Sequence, residues 1–310
     1  MIRYPDRLNL CEVGLRDGLQ NEKQILTTDR KTEILRRLVS AGFRTIEVGS
    51  FMSPKAVPQM ADTDALFSVC REFPDVEFRA LVANLKGVER AAACGCKKVK
   101  LNVSASREHN LRNLNRTPEE SVMKFAECAE LARSGGIALS GSISMPFASP
   151  WEGVTPVRDV DRIIEAYLSI GVTEISLSDT SGMAAPAQVA KLCRHVRRKY
   201  PEASWWMHFH NTRGLAAANM LAAMDAGMTC FDSSFGGLGG CPFVPEVAGN
   251  LATEDAVHMC DECGIETGIR LEEVMEISRM TAEWLGHPME SLVLRAGSNR
   301  SLMEKIRAKA

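Results

Sequence analysis

The chain has 310 residues, of which 45% are apolar and 25% charged, and its 37 basic and 39 acidic side chains give a net charge of −2. This composition excludes a disordered chain, because there is enough apolar surface to offset the entropy lost on folding. The balanced charge argues against nucleic-acid binding, which needs a concentrated basic face. No apolar run approaches the roughly 20 residues that span a bilayer, and the N-terminus lacks a signal core, so we expect a cytoplasmic protein without membrane association.

Short β-rich runs alternate with longer amphipathic segments along most of the chain. Strands are predicted at Leu8–Gly14, Thr45–Ser50, Glu77–Val82, Lys98–Val103, Ala138–Met145, Glu174–Ser178, Ser204–His210 and Cys230–Ser234. The intervening helices are predicted at Asp29–Ala41, Ser53–Cys70, Leu85–Cys94, Pro118–Ser134, Val157–Ile170, Ala185–Lys199 and Gly214–Ala226. Strand-then-helix units imply parallel pairing, because each crossover returns the chain to the same end of the sheet. The pattern therefore predicts an α/β protein with a (β/α)8 TIM barrel.

An open doubly wound sheet is the alternative, since it alternates in the same way. That fold usually has a phosphate-binding glycine turn after its first strand, but Gly14–Gly18 has no GxGxxG pattern and the chain has no Walker A motif. Further helical segments follow, at Asp255–Cys263, Leu271–Leu285 and Ser301–Ala310. We expect residues 1–270 to form the barrel and residues 271–310 to form a C-terminal helical extension packed on it.

In a TIM barrel, the functional groups gather at the C-terminal ends of the strands. Those ends carry Arg16 and Asp17, Glu47, Asp179, His208 and His210 in this chain. His208 and His210 are two positions apart on one strand, so both imidazoles face the same side. Two adjacent imidazoles are a common arrangement for a divalent metal, although two solvent-facing histidines on a strand edge would give the same pattern.

A metal at this place would need further ligands. Asp17 or Asp179 could supply a carboxylate, and Asn250 could add a carbonyl oxygen. A mixed nitrogen and oxygen set favours Mg²⁺ or Mn²⁺, with zinc as a further possibility. An inward Arg16 beside such a metal could stabilise an oxyanion such as an enolate, whereas the ordinary role of an arginine is a surface ion pair.

A glycine-rich loop, Gly236–Gly240, leads directly into Cys241. Such a loop can approach a ligand closely, and a thiol near cations can serve as a proton donor. A passive thiol in a turn fixed by Pro242 is the alternative. The cysteine alone does not decide between the two.

Several long segments carry specific motifs: Cys11–Glu22, Ser50–Asp62, Ser233–Phe243 and its continuation Gly249–Asp255. Together they closely resemble the 3-hydroxy-3-methylglutaryl-CoA (HMG-CoA) lyase family, a group of metal-dependent TIM-barrel lyases. The resemblance runs from about residue 8 to about residue 270. It implies cleavage of an HMG-CoA-like thioester, an acyl-CoA, to acetyl-CoA and acetoacetate or the matching keto acid.

The resemblance also implies roles for individual residues. The implied ligands of a divalent cation, Mg²⁺ or Mn²⁺, are Asp17, His208, His210 and Asn250. Arg16 would stabilise the enolate oxygen of acetyl-CoA, and Cys241 would assist proton transfer. Glu47 and Asp179 match inner-site carboxylates, and Gln20 matches a substrate or supporting contact.

The chain departs from the lyase pattern near the expected barrel mouth. Ser149 and Trp151 stand where the family has cysteine and tyrosine, the segment Pro245–Asn250 differs, and His109 is not expected. The acyl group of the substrate therefore stays open. A condensing enzyme or aldolase of the same barrel family is the alternative, but those synthases carry an extra regulatory domain, and about 40 residues after the motifs are too few for one. We also expect a homodimer or higher homo-oligomer.

Overall fold

The computed structural model describes residues 4–240 and 249–308, and its centre is a closed barrel of parallel strands. The barrel strands are β1 (Asn9–Glu12), β2 (Thr45–Ser50), β3 (Glu77–Val82), β4 (Lys98–Ser104), β5 (Ala138–Ser144), β8 (Glu174–Asp179), β9 (Ser204–Phe209) and β10 (Cys230–Ser233). A hairpin of two short strands, β6 (Ala148–Ser149) and β7 (Gly153–Val154), follows β5. Neighbouring barrel strands follow chain order, and β10 closes on β1. The predicted TIM barrel is confirmed.

Helices surround the barrel and continue after its last strand. They are α1 (Thr28–Ser40), α2 (Thr63–Cys70), α3 (Leu85–Cys94), α4 (Arg107–Leu114), α5 (Pro118–Ser134), α6 (Val157–Ser169), α7 (Pro186–Lys199), α8 (Ala216–Asp225), α9 (Thr253–Glu262), α10 (Leu271–Leu285), α11 (Leu292–Ala296) and α12 (Asn299–Arg307). None of the helices in the described ranges is long and apolar enough to cross a membrane.

Several regions differ from the sequence prediction. The helix predicted over Ser53–Cys70 is wrong in its first half, where a loop and a 3₁₀ turn at Pro58–Met60 precede α2. Pro54 and Pro58 lack the N–H that a helix interior requires, so the helix forms only after them. Helix α4 and the β6–β7 hairpin were not predicted, because both interrupt the regular strand-to-helix alternation.

The C-terminal helices pack on the barrel through α10. Val274 and Ile277 of this helix are completely buried, and the amide of Arg270 just before it donates to the carbonyl of Ala41 after α1 at 2.8 Å. The amide of Glu290 beyond it donates to Gly236 O at 2.9 Å. The C-terminal segment therefore contacts the base of the glycine-rich loop, and the division into two domains at residue 270 stays a prediction.

The interior of the barrel carries charged side chains, while the main apolar core lies between the strands and the helices. Along β4, Val99, Leu101 and Val103 are completely buried on the outer face. Lys98 and Lys100 alternate with them and point inward, because each reaches acidic groups on strands that are not its neighbours. The barrel can therefore hold charged groups that an apolar interior would exclude.

Candidate active site

A cavity of about 570 Å³ opens at the C-terminal ends of the barrel strands. One side of it is apolar, with Met52, Ala56, Val57, Pro58 and Leu81. The other side is polar and is formed by Asn102, Ser142, Ser144, Ser178 and Thr180. Arg16, Asp17, Gln20, His208 and His210, all predicted site residues, also line it. The structure thus gathers residues from distant parts of the sequence around one space.

A tight turn directly after β1 places Arg16 and Asp17 in this cavity. Residues Gly14–Gly18 form a π-helix, in which the amides of Asp17 and Gly18 both donate to Val13 O, at 2.8 and 3.2 Å. Gly14 has no room for a side chain, since a Cβ there would lie 2.4 Å from the ring of Phe235. The glycine lets the chain turn back at once, so the next residues reach over the barrel mouth.

Asp17, His208 and His210 form a compact group whose ligand atoms all lie within 4.8 Å of one another. Asp17 Oδ2 is 3.8 Å from His208 Nε2 and 3.9 Å from His210 Nε2. These separations are too long for hydrogen bonds. They match the roughly 3 to 4 Å between atoms that share one ion at bonds of about 2.1 Å. Asp17, and not Asp179, is therefore the carboxylate beside the two imidazoles.

Asn250 adjoins this group and carries an unused oxygen. Its Nδ2 donates to Asp17 Oδ2 at 2.8 Å and to Leu238 O at 2.9 Å. Its Oδ1 is buried and has no hydrogen-bond partner within the described ranges. A buried carbonyl oxygen without a partner is costly unless something else binds it. The Oδ1 atom of Asn250 is therefore available as a fourth metal ligand beside Asp17, His208 and His210.

Arg16 is held by two carboxylates. Its Nε pairs with Glu47 Oε1 and its Nη1 pairs with Asp17 Oδ1. Burial alone would raise the pKa of Asp17, but Arg16, the two neighbouring histidines and the hydrogen bond from Asn250 outweigh it and lower that pKa to about 2. Burial would also raise the pKa of Glu47, and Arg16 and Lys100 together hold it below its usual range. Both acids therefore stay ionised and fix the guanidinium at the cavity wall.

Two further charged residues, Lys100 and Asp232, lie in the barrel interior and line the cavity. Lys100 Nζ is 2.5 Å from Glu47 Oε2 and 3.5 Å from Asp232 Oδ2. Asp232 Oδ2 in turn lies 3.2 Å from His208 Nδ1. Neither residue was singled out from the sequence. The alternation of polar and apolar residues in Lys98–Ser104 was the signal that could have found Lys100.

The remaining predicted site residues fall in different places. Asp179 does not line the cavity, because Ser178 faces inward and the next strand position faces out. Its carboxylate accepts hydrogen bonds from the amides of Met183 and Ala184 at 3.0 and 3.1 Å, and burial raises its pKa to about 6. Glu47 is completely buried behind Arg16. Cys241 lies outside the described residues, so its predicted role stays a prediction.

Two buried glutamates anchor the start of the glycine-rich loop. Glu12 Oε1 accepts the amides of Gly14 and Phe235, at 2.7 and 3.0 Å. Glu254 accepts the amide of Gly236 with both oxygens at 3.0 Å and also contacts Ser278 Oγ. Burial raises the pKa of Glu12 to about 8 and that of Glu254 to about 7. The start of the loop is therefore held in place by these glutamates, and Cys241 follows the loop in the sequence.

The raised pKa of Glu254 predicts a pH-dependent contribution to stability. The folded protein holds this proton up to a higher pH than the unfolded chain, so stability falls as the pH rises from about 4.5 to about 7. This group alone should lower the free energy of unfolding by roughly 3 kcal/mol over that interval. Denaturant unfolding at several pH values should show that difference between wild type and Glu254→Gln, whose amide does not titrate.

Glu283→Gln on the exposed face of α10 is the matched control for that measurement. It should follow the wild-type pH dependence. Equal pH dependence in Glu254→Gln and wild type would contradict the assignment of the raised pKa.

Helix α4 lines the cavity through His109 and Asn113, and the β6–β7 hairpin packs against this helix. Glu152 of the hairpin accepts hydrogen bonds from Ser106 Oγ at 2.7 Å and from the amide of Glu108 at 3.1 Å, at the start of α4. The rings of His109 and Trp151 stack with centroids 6.0 Å apart. His109 also lines the cavity, and burial lowers its pKa to about 4, so its imidazole is neutral at pH 7.

Comparison with known proteins shows the family to which the chain belongs. The family model described as HMGL-like matches residues 7–281. The chain belongs to the HMGL-like family. An (R)-citramalyl-CoA lyase from Chloroflexus aurantiacus is 39% identical over 94% of this chain and 95% of that protein. Human mitochondrial hydroxymethylglutaryl-CoA lyase is 38% identical over 94% of this chain and 90% of that protein.

Solved structures of the HMGL-like family superpose closely on the chain. An HMG-CoA lyase from Acinetobacter baumannii, in complex with coenzyme A and 3-methylmalate, has a TM-score of 0.91 and 41% identity, covering 96% of this chain and 98% of that one. The Bacillus subtilis HMG-CoA lyase has a TM-score of 0.90 and 36% identity, covering 94% and 98%. The resemblance to the HMG-CoA lyases is thereby confirmed, and this HMGL-like protein is a carbon–carbon lyase.

Proposed function

We propose that the enzyme is a divalent-metal-dependent lyase that cleaves HMG-CoA, or a close 3-hydroxyacyl-CoA analogue, to acetyl-CoA and a keto acid. The observation that carries the proposal is the meeting of Asp17, His208 and His210 beside Arg16 in one cavity. The relatives named above are lyases of 3-hydroxyacyl thioesters, which supports an acyl-CoA substrate.

The donor set and the local charge both suit a divalent cation. The cavity wall and the side chains directly behind it carry three acids, Asp17, Glu47 and Asp232, against the two bases Arg16 and Lys100. This is an excess of one negative charge before the histidines are counted. The partnerless Oδ1 of Asn250 is a further donor. We propose that Asp17, His208, His210 and Asn250 hold the ion, Mg²⁺ or Mn²⁺, and that it would lower the pKa of the substrate's tertiary hydroxyl group.

Arg16, Cys241 and Gln20 would carry out the remaining steps of the reaction. The hydroxyl proton would pass to water in the open cavity, and the O–H electron pair would form the C=O bond of the keto acid. The bond between the carbinol carbon and the neighbouring CH₂ would then break, with its electron pair left on that CH₂ as the enolate of acetyl-CoA. Arg16, fixed by Glu47 and Asp17, would place its positive charge against the enolate oxygen. Cys241 would then return a proton to the enolate carbon, which gives acetyl-CoA. Gln20 lines the same cavity and would contact the acyl group.

The apolar and polar sides of the cavity together indicate which acyl group fits best. Its apolar side suits the methyl group that HMG-CoA and citramalyl-CoA share, and its polar side suits their hydroxyl and carboxylate groups. These two substrates differ by one methylene, and a difference of that size is worth only about 1–3 kcal/mol in binding. We therefore propose the class of 3-hydroxy-3-methyl dicarboxylyl thioesters, with HMG-CoA first.

The proposal is tested by incubating the purified enzyme and Mg²⁺ with HMG-CoA, citramalyl-CoA and methylmalyl-CoA. Cleavage of HMG-CoA gives acetyl-CoA and acetoacetate, and cleavage of citramalyl-CoA gives acetyl-CoA and pyruvate. We expect at least one of these pairs to form in equal amounts, with kcat/KM ranking the substrates. The absence of cleavage for every thioester would contradict the proposed function.

The same assay separates the lyase from a condensing enzyme of the same barrel family. A synthase joins acetyl-CoA to a keto acid and hydrolyses the thioester, so it releases free coenzyme A. The lyase leaves the thioester intact in acetyl-CoA. A thiol reagent should therefore detect no coenzyme A release from acetyl-CoA plus acetoacetate or pyruvate, and release at a rate comparable with cleavage would favour the synthase.

A further inference from the structure

Lys100 is a charged residue deep in the barrel to which the proposed reaction assigns no part. Its side chain is 4% exposed, and its ammonium group lies between Glu47 on β2 and Asp232 on β10. Neither strand is a neighbour of β4, so the lysine spans the barrel interior. A buried ammonium is costly unless it is paired, and here it has two carboxylate partners.

Each of those carboxylates also contacts a second functional side chain. Glu47 uses Oε2 for Lys100 and Oε1 for Nε of Arg16. Asp232 uses Oδ2 for Lys100, at 3.5 Å, and for His208 Nδ1, at 3.2 Å. The result is a continuous series of ion pairs and one hydrogen bond, which runs from Arg16 through Glu47, Lys100 and Asp232 to His208. It joins the group beside the proposed enolate to one of the proposed metal ligands.

The contact between Asp232 and His208 determines which ring nitrogen of His208 is free to bind a metal ion. A carboxylate that accepts from Nδ1–H leaves the lone pair on Nε2. Nε2 is the nitrogen that faces Asp17, at 3.8 Å. Asp232 therefore selects the tautomer that the site requires, provided that it stays in place opposite Nδ1.

Without Lys100, Glu47 and Asp232 would be two buried carboxylates with no cation between them. At the effective dielectric constant of a protein interior, like charges a few ångströms apart repel each other strongly. This repulsion would displace both carboxylates, and with them the guanidinium and the imidazole that they hold. Ser142 and Ser178 line the same cavity, but their hydroxyl groups cannot supply the missing charge.

A second role for a buried lysine, as the Schiff-base nucleophile of an aldolase, does not fit this environment. That role needs a neutral amine. Burial alone would lower the pKa of Lys100, but Asp232 and Glu47 outweigh it and raise the pKa well above its usual value. The amine stays protonated, so its contribution is a fixed positive charge.

We propose that Lys100 is a positioning residue. It holds the carboxylates of Glu47 and Asp232 in place, and these in turn hold Arg16 and His208 in position across the cavity. Only the chemical consequence of this role rests on the proposed function. The contacts themselves do not depend on which thioester is cleaved.

The test compares Lys100→Met with Lys100→Arg and with Lys98→Met. Lys98 is the matched control, because it points inward from the same strand, pairs with Glu77 and Glu174 at 3.0 and 2.6 Å, and does not line the cavity. In the metal-free protein, ¹⁵N NMR of the histidines reports the tautomer of His208, whose signals are identified by their loss in His208→Gln. Titration with Mn²⁺ reports the affinity of the site.

We expect Lys100→Met to lose the Nδ1–H tautomer of His208 and to weaken Mn²⁺ binding by about 10–100-fold, the usual effect of removing a supporting group. With a cleavable thioester, kcat should fall by a similar factor while KM changes little. Lys100→Arg should restore most of both, and Lys98→Met should match wild type.

Wild-type tautomer and Mn²⁺ affinity in Lys100→Met would overturn the proposal. If that variant does not fold, Lys100→Gln, which removes the charge but keeps hydrogen-bond donors, should show the same loss of affinity and tautomer. If no thioester is cleaved by wild type, the proposed function fails, and the NMR and Mn²⁺ measurements still decide the role of Lys100.

Discussion

Replacing Arg16 by methionine is expected to lower kcat by about 10³-fold, because one donor that stabilises a developing oxyanion is worth about 10²–10³ and this donor carries a full charge. The guanidinium is fixed between Glu47 and Asp17, so little reorganisation is needed when negative charge develops on the thioester oxygen. KM should change less than kcat, since the interaction strengthens mainly in the transition state. Steady-state kinetics on the best thioester of the panel measures both.

Two further variants separate charge, geometry and folding. Arg16→Lys keeps the charge but loses the planar fork that pairs with two carboxylates, so it should retain only a small part of the activity. Arg194→Met removes an exposed arginine that pairs with Asp225 at 2.7 Å on the outer helices, and it should have wild-type kinetics. A cooperative thermal transition in Arg16→Met shows that the loss is chemical. A near-wild-type kcat in that folded variant would remove Arg16 from the mechanism.

The barrel could be predicted from the sequence because its signal is local and repeated. Each strand of the barrel is a short β-rich run followed by an amphipathic helix, and each predicted strand lies within two residues of the observed one. The hairpin at Ala148–Val154 and helix α4 could not be predicted in this way. Both are stabilised by contacts between distant segments, such as Glu152 with Ser106 and Glu108, which no local pattern reveals.

The candidate site could be predicted only in part. The spacing of His208 and His210 and the position of Asp17 after the first strand put these three residues at the barrel mouth, where the structure brings them together. Alternation along β8 places Asp179 on the opposite side of the strand from Ser178, which lines the cavity, so the sequence pattern itself favours a position for Asp179 outside the cavity lining. The pairing of Lys100 with Asp232 depends on closure of the barrel, which places β4 opposite β10.

Removal of divalent cations is expected to abolish activity. Asp17, His208 and His210 hold their ligand atoms at 3.8 and 3.9 Å, too far apart to bond to each other, and Asn250 Oδ1 has no partner among the described residues. After dialysis against excess chelator, turnover should fall by at least about 10²-fold, since the substrate's hydroxyl proton is then lost without help from a bound cation. Mg²⁺ or Mn²⁺ should restore it, and a parallel addition of Zn²⁺ shows which ion the mixed nitrogen and oxygen site prefers.

Ligand variants connect this loss to the site itself. Asp17→Asn removes a negative charge from the proposed coordination sphere, and His210→Gln removes an imidazole, so each should weaken Mn²⁺ binding by calorimetry as well as slow turnover. His195→Gln is the matched control, because His195 pairs with Asp161 at 2.9 Å on the outer helices, far from the cavity lining. Full activity of the wild type in excess chelator would contradict the metal requirement. Unchanged Mn²⁺ affinity in both ligand variants would instead place the ion elsewhere, because a cation held by these residues must respond to the loss of either one.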